Sequence, residues 1–257
     1  MGEPHKDDIF YLLDIPIANV TRQRALAMIW SSLEKPDVSE MHFVNAHCIN
    51  VAAKDPSYLS VLKQAKAVFA DGTGIRKAGE KLSHPIVDNV NGTDMFPLIC
   101  SECKRTNKKL YLLGGKPGVA EKSATWANEY AQSDIIAGFH DGFFTEEQTE
   151  GLLVQINASK ADLLLVGMGV PKQELWLHTH LSKLTVPVVM GVGALFDFYS
   201  GTVSRSPVWM RKLGIEWVWR LMIEPRRMWR RYIIGNVAFL MRIEKIRREQ
   251  RKERQEL

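Results

Sequence analysis

Through the first 200 residues, short apolar runs alternate with longer stretches in which apolar residues return every three or four positions. The runs are HFVNA (42–46), AVFAD (67–71), KLYLLGG (109–115), DIIAGFHDG (134–142), ADLLLVGMG (161–169) and VPVVMGVG (186–193). Most lack strict in–out alternation, as strands do when both faces of their sheet are covered. Helical periodicity fills the intervals at 47–65, 92–106, 117–131, 145–159 and 171–183. Strand, helix, strand at this spacing predicts right-handed βαβ units and a parallel, Rossmann-like α/β sheet. Two helix starts are explicit: Lys116-Pro117-Gly118, and Thr145 with Gln148 three residues on, a capping box.

Beyond Gly201 the strand pattern stops. Helical stretches near 206–213, 215–223 and 226–250 are punctuated by Gly214 and Pro225, the latter suited to a first turn because its missing N–H needs no partner there. In the last of them Trp229, Tyr232, Ile233, Val237 and Leu240 form an apolar stripe flanked by arginines. The pattern therefore predicts a core over residues 1–200 and a helical appendage over 201–257. The stripe could face the core, a second copy in a homo-oligomer, or lipid, and periodicity alone does not choose.

Composition narrows the class. With 46% hydrophobic and 25% charged residues in 257, the chain is not collagen-like, mucin-like or wholly disordered. Three cysteines are too few for a disulfide scaffold, which favours a reducing compartment. The N-terminus MGEPHKDDIFYLLDIPI carries acids where a secretory leader carries lysines, and no apolar run approaches the roughly 18 residues of a membrane span. A cytoplasmic protein, soluble or peripheral to a membrane, is expected. Charge is uneven: residues 201–257 hold 15 Lys and Arg against 6 Glu, together with four of the seven tryptophans, whereas residues 1–200 are net acidic. Arg beside Trp suits phosphates at an apolar boundary, on a membrane or a nucleic acid; the alternative is a solvated helical face, favoured for the final RIEKIRREQRKERQEL.

Candidate chemistry gathers at strand ends, where parallel sheets bind ligands. These ends carry Asn45, Asp71-Gly72-Thr73-Gly74, Gly114-Gly115, Asp141-Gly142, Gly167-Met168-Gly169 and Gly191-Val192-Gly193. Glycines admit close approach of phosphate and the following helix N-termini favour anions, so a nucleotide or sugar nucleotide is the expected ligand. No G-x-G pair extends to G-x-G-x-x-G, which weighs against an NAD- or flavin-dependent oxidoreductase, and there is no P-loop. The chain has no D-x-D, no H-E-x-x-H and no paired C-x-x-C, so no metal site is predicted. A departing diphosphate would rest on helix dipoles, Lys and Arg instead. Asp71, ending an apolar strand, is the first candidate for a general base, or else the cap of the helix after it. Asp197 is placed to accept hydrogen bonds from a ribose or to cap a helix, and Gln173 opens a helix where its amide could touch a ligand.

Seven ordered segments, FADGTGI (69–75), NGTD (91–94), YLLGGKPGVAE (111–121), FHDGFF (139–144), VGMGVPKQELW (166–176), VGALFDFYSGTVSRSP (192–207) and GIEWVWRLMIEPRRMWRRY (214–232), closely resemble the WecG/TagA/CpsF glycosyltransferases over roughly residues 10–240. The resemblance implies an inverting, metal-independent transfer from a UDP-sugar to a sugar on a polyprenyl diphosphate at the cytoplasmic membrane face. The product would serve exopolysaccharide, teichoic-acid or common-antigen synthesis. It needs no cofactor and no nucleic-acid partner. Position by position, Asp71 matches the family's base and Asn45 the Asn of its T-x-N motif. Gln173 and Asp197 match sugar-nucleotide contacts, and Arg220, Arg227 and Arg230 match appendage arginines that reach diphosphates. Gly114, Gly115, Gly142, Phe143, Gly169, Lys172, Thr93 and Asp94 lie in the matching motifs as further substrate contacts, and His47 is placed to face the acceptor sugar. The chain departs from the pattern at Phe43, where the family has Thr, and at Asn89, where it has Arg; the appendage arginines or Lys172 are the candidates to replace that charge.

Overall fold

Among the described residues, eight strands form one sheet: β1 (Ile9–Leu12), β2 (Ile15–Ala18), β3 (Ser39–Val44), β4 (Ala67–Ala70), β5 (Leu110–Gly114), β6 (Ile136–His140), β7 (Leu163–Gly167) and β8 (Val188–Gly191). The structure is a computed structural model that describes residues 8–253 and 255; residues 1–7 of the N-terminal segment, and 254, 256 and 257 of the basic C-terminal end, lie outside the described residues. Strand order is β1-β2-β4-β3-β8-β7-β5-β6, and every neighbouring pair is parallel except β1 with β2. All six predicted strands are present. They end earlier than the apolar runs suggest, because the glycines and polar residues at their carboxyl ends turn away as loops.

Helices cover both faces. On one lie α1 (Arg22–Ser32), α5 (Gly92–Thr106), α6 (Val119–Ala131) and α9 (Leu195–Tyr199), packed on Met41, Phe43, Phe69, Leu112, Leu165 and Met190 of the sheet. On the other lie α2 (Ala46–Ala52), α3 (Pro56–Gln64), α4 (Gly72–Lys81), α7 (Glu146–Ala158) and α8 (Lys172–His180), over Ile17, Val44, Val68, Leu113, Val166 and Val189. Alternate residues of each strand thus serve opposite cores, which is why the runs read as continuously apolar. Thr145 and Gln148 form the expected reciprocal cap of α7.

Three features differ from the sequence-based expectation. The β1–β2 hairpin turns on Leu13 and Asp14, both at positive φ (54° and 57°), a backbone that Asn-Gly usually announces and Leu-Asp conceals. The single helix expected over 47–65 is two, because the Asp55 carboxylate accepts from the Tyr58 N–H at 3.1 Å and Pro56 starts a new first turn. The helix expected over 226–250 is α12 (Pro225–Trp229), a π turn at Arg230–Ile234, and α13 (Gly235–Glu253). Before them come α10 (Val208–Lys212) and α11 (Glu216–Ile223), and Pro225 does occupy a first turn.

The π turn decides which face of the last helix is buried. A π turn accommodates an extra residue and so rotates the helix on its C-terminal side. Of the predicted stripe, Trp229, Ile233, Val237 and Leu240 are exposed and Tyr232 is partly covered beside Trp217, while Phe239 and Ile243 join the core with Val44, Cys48, Ile49 and Ile75. The Asn50 amide donates to the Gly235 carbonyl at 2.7 Å and pins the junction to α2.

Phe239 is 1% exposed and its neighbour Leu240 39%. Phe239→Ala should therefore cost about 3–5 kcal/mol of stability by opening a cavity. Leu240→Ala should cost less than about 1 kcal/mol. Urea denaturation of the two variants checks the assignment, and equal losses would contradict it.

Candidate active site

The chain leaves β5 toward β6 and leaves β7 toward β8, in opposite directions along the sheet, so a topological switch point lies between β5 and β7. Gly114, at φ +143°, makes this junction: a Cβ there would stand 2.4 Å from the Gly167 carbonyl oxygen. The Gly115 N–H donates to that same oxygen at 3.0 Å, and the Gly142 N–H donates to the Gly115 carbonyl at 2.9 Å. Three strand-end turns are thereby stitched together through backbone alone.

Around them opens a cleft of about 560 Å³. Gly115, Gly142, Phe143, Gly169, Lys172, Asp197 and Arg227, all singled out from the sequence, line it together with Lys116. Two helices of useful length, α6 and α8, begin beside it, and the positive ends of their dipoles add to the charge of Lys116, Lys172 and Arg227. Asp197 supplies a carboxylate to the lining; burial raises its pKa, against the pull of Arg227, Arg220 and Lys116. Phe143 offers an exposed aromatic face at the rim, 68% accessible, held by its N–H to the Asp141 carboxylate at 2.8 Å. Such a lining has the charge to hold an anion and an aromatic face on which a flat ring can stack.

Farther along the same carboxyl edge stand Asp71 and Asn45. Asp71 occupies the N-cap position of α4 but makes no capping hydrogen bond. Its Oδ2 instead accepts from Asn45 Nδ2 at 3.0 Å, while Asn45 Oδ1 accepts the N–H groups of His47 and Cys48 at 3.1 and 3.3 Å and caps α2. One amide therefore ties the carboxylate to a helix start. Burial pushes the Asp71 carboxyl up to about 6, opposed by the Asn45 hydrogen bond and the charge of Arg231. A carboxylate so poised accepts a proton near neutrality. β4 lies two strands from β8, so Asp71 sits roughly 10 Å along the sheet from the cleft's near wall.

Other candidates have different surroundings. Gln173 is 1% exposed, and its Oε1 accepts the N–H groups of Gly169 and Gly193 at 3.1 and 3.0 Å beneath the cleft. Asp94 bonds to Arg205 and Asn91; burial pushes its carboxyl up, but these bonds outweigh it and hold it below the usual range. The Thr93 carbonyl accepts from the Tyr199 hydroxyl at 2.6 Å. Asn89 accepts the Gly72 N–H at 2.6 Å, so it shapes the turn after Asp71 where an arginine would carry charge. Phe43 packs on Phe69 with ring centres 5.6 Å apart.

The appendage arginines also divide. Arg220 is 5% exposed, pairs with Glu224 at 3.2 Å and lies 4.8 Å over the Phe198 ring. Arg227 pairs with Glu224 at 3.0 Å and reaches the cleft, whereas Arg230 lies over the exposed Trp229 ring at 5.3 Å. Sequence reasoning missed Arg231, whose charge bears on both Asp71 and His47 and whose buried Nε has no partner among the described residues. Burial, with help from Arg231, lowers the His47 pKa to about 4 and keeps the ring neutral. Arg231 lies in the π turn at Arg230–Ile234. Lys116 was visible in the motif YLLGGKPGVAE but carried no distinguishing signal. Among the described residues, no group of three or more His, Cys, Asp or Glu side chains comes together to hold a metal.

The fold and site define a doubly wound α/β enzyme with a basic crevice at its switch point and a half-buried carboxylate farther along the same edge. The chain belongs to the glycosyl transferase WecG/TagA/CpsF family, whose model matches residues 10–254. It is a glycosyltransferase. Relatives in Staphylococcus aureus strains NCTC 8325, COL and MW2 are each 30% identical over 243 residues, covering 94% of both chains. Each carries the name N-acetylglucosaminyldiphosphoundecaprenol N-acetyl-beta-D-mannosaminyltransferase.

Removing the Asn45 hydrogen bond takes away one of the influences that lower the Asp71 pKa. The acid limb of the kcat/KM profile, expected near 6 in the native enzyme because the base must be ionised, should therefore move to higher pH in Asn45→Ala. A pH–rate profile of both proteins measures it, and an unmoved limb would break the link between the two residues.

Proposed function

We propose that the enzyme is an inverting glycosyltransferase moving a hexose or N-acetylhexosamine from a UDP-sugar to a sugar on undecaprenyl diphosphate. The observation that carries this reading is the pairing of Asp71, half-buried and raised to about 6 beside Asn45, with a basic, glycine-walled cleft on the same sheet edge. The relatives' name, with its undecaprenol-diphosphate acceptor, supports the acceptor class. UDP occupies the cleft, with its diphosphate against the α6 and α8 N-termini and Lys116, Lys172 and Arg227, and its base toward Phe143. Asp197 accepts from the ribose.

Asp71 takes the proton of the acceptor hydroxyl as that oxygen bonds to the donor's anomeric carbon. The carbon–oxygen bond to UDP breaks on the opposite face, and UDP leaves with the electron pair. Inversion results from a single displacement. Cationic groups fixed in advance around the departing diphosphate lower the barrier without reorganising. No metal is required in this scheme, because the charge is met by arginine, lysine and helix termini.

Residues 1–200 act as the transfer core and 201–257 as the face toward the lipid-linked acceptor. No helix among the described residues is long and apolar enough to cross a membrane. The exposed Trp209, Trp229, Ile233, Val237 and Leu240, interspersed with arginines, suit a surface that lies on an anionic bilayer at the cytoplasmic face. That docking brings the enzyme to its acceptor.

UDP release from a panel of UDP-sugars, with N-acetylglucosaminyl-diphospho-undecaprenol in detergent and EDTA, tests the reaction. Acceptor-dependent release with one donor is expected. Asp71→Asn should lower turnover by about 10²–10⁴-fold while UDP still binds; full turnover would remove Asp71 from the mechanism. Changing Trp229, Ile233 and Val237 together to Ser should sharply reduce sedimentation with anionic vesicles, whereas unchanged sedimentation would rule out this face as the membrane contact.

A further inference from the structure

A buried polar cluster lies under the cleft and has no role in the transfer proposed above. Gln173 Nε2 donates to Glu174 Oε1 at 2.8 Å, and both residues are essentially inaccessible. On the adjacent β3, His42 Nε2 bonds to Glu40 Oε1 and His178 Nδ1 to Glu40 Oε2, each at 3.0 Å, with Glu40 and His42 also buried. A Cβ added to Gly191 at the end of β8 would stand 2.9 Å from both Gln173 Nε2 and His42 Nδ1, so these two groups converge on one point beneath the β8 turn. Glu174 Oε2 and His42 Nδ1 are buried there without partners among the described residues. Stability alone gives no reason to keep a carboxyl in such a place, because an apolar side chain would fill it at lower cost.

The connection to the cleft runs through one amide. The Gln173 carbonyl oxygen accepts two N–H groups, Gly169 after β7 and Gly193 after β8, and both glycines line the cleft. An amide flipped by half a turn would set NH₂ against those two donors. An acceptor on the other side distinguishes the two orientations, and Glu174 Oε1 is that acceptor. We infer that Glu174 is a positioning residue: it orients the Gln173 amide so that one oxygen clasps the turns after β7 and β8 and holds the cleft in its binding shape. Gln173 then acts on a nucleotide through the backbone it fixes. This rests on the reading of the cleft as the UDP site.

The surroundings give the clasp its own pH signature in a suitable variant. Facing Glu174 are His42 and Glu40 from β3, Cys48 from α2 and Tyr58 from α3. Burial raises the Glu174 pKa, opposed by His42 and the Gln173 hydrogen bond. Gln173→Glu would set two carboxyl groups at hydrogen-bond distance in this dry site, where they share one proton and repel each other once it is lost. Its clasp should hold when protonated and open as pH rises.

UDP titration calorimetry, paired with thermal melts, decides the matter on full-length protein. Glu174→Met leaves the amide without its acceptor and should weaken UDP about tenfold while still melting cooperatively. Glu174→Gln, whose side-chain oxygen can accept the same bond, should recover most of that loss. Gln173→Glu should bind UDP progressively more weakly as pH rises above neutrality, with the native protein flat over that range. Native-like affinity in Glu174→Met, equal losses in Glu174→Met and Glu174→Gln, or a flat Gln173→Glu profile would each overturn the positioning role. If Glu174→Met fails to fold, the Gln173→Glu profile still decides. Absence of UDP binding by the native protein would instead overturn the donor reading, and the positioning role with it.

Discussion

The geometry of the active edge depends on how closely β5 and β7 approach at Gly114 and Gly167. With a Cβ on Gly114 only 2.4 Å from a carbonyl oxygen, no other residue fits without moving a strand. That contact lets the Gly115 N–H pair with Gly167, and lets the Gly142 N–H pair in turn with Gly115. The turns after three strands become one continuous wall, and the remaining backbone groups and helix starts face outward. A crevice at the switch point results from the winding of the chain. Its narrowness and its polarity come from the glycines.

The carboxylate proposed as the base is built on different physics and in a different place. Asp71 owes its raised pKa to desolvation, and Asn45 and Arg231 keep that rise moderate. Both opposing influences come from outside the strand that carries it: Asn45 from the end of β3, Arg231 from the π turn of the appendage. Asn45 uses its carbonyl for the α2 cap and its NH₂ for Asp71, so the position of the carboxylate is tied to a helix terminus and not to a mobile side chain. Separation from the cleft by about two strand widths leaves room for the reacting sugars in the mechanism proposed above.

In the appendage, arginines of identical chemistry acquire unlike tasks from their surroundings. Arg220 is buried against Phe198 and Glu224, Arg227 reaches the cleft, Arg230 covers an exposed tryptophan and Arg231 turns toward Asp71. The apolar residues of the C-terminal helices are likewise divided, since Phe239 and Ile243 anchor α13 against Val44, Cys48 and Ile49 while Trp229, Ile233 and Val237 remain uncovered. The last helix is at once a core element and an exposed apolar surface.

The amino-acid sequence by itself determined the alternation of buried strands and amphipathic helices, the glycine-rich strand ends and the carboxylate at Asp71, because these rest on local periodicity and on residue types with few alternatives. It also contained the ordered motifs that mark the family. The β1–β2 hairpin escaped, because Leu13 and Asp14 adopt positive φ without the residues that usually signal it. Likewise, the break at Asp55-Pro56 was written in local signals that the run of helical periodicity obscured. Tertiary structure alone decided that Asp94 pairs with Arg205, that the Gln173 amide lies under the cleft between two glycine turns, and that Arg231 stands by the base. Each of these depends on partners distant in the chain, such as the 111 positions separating Asp94 from Arg205, or on a rotation of helix face that no local pattern encodes.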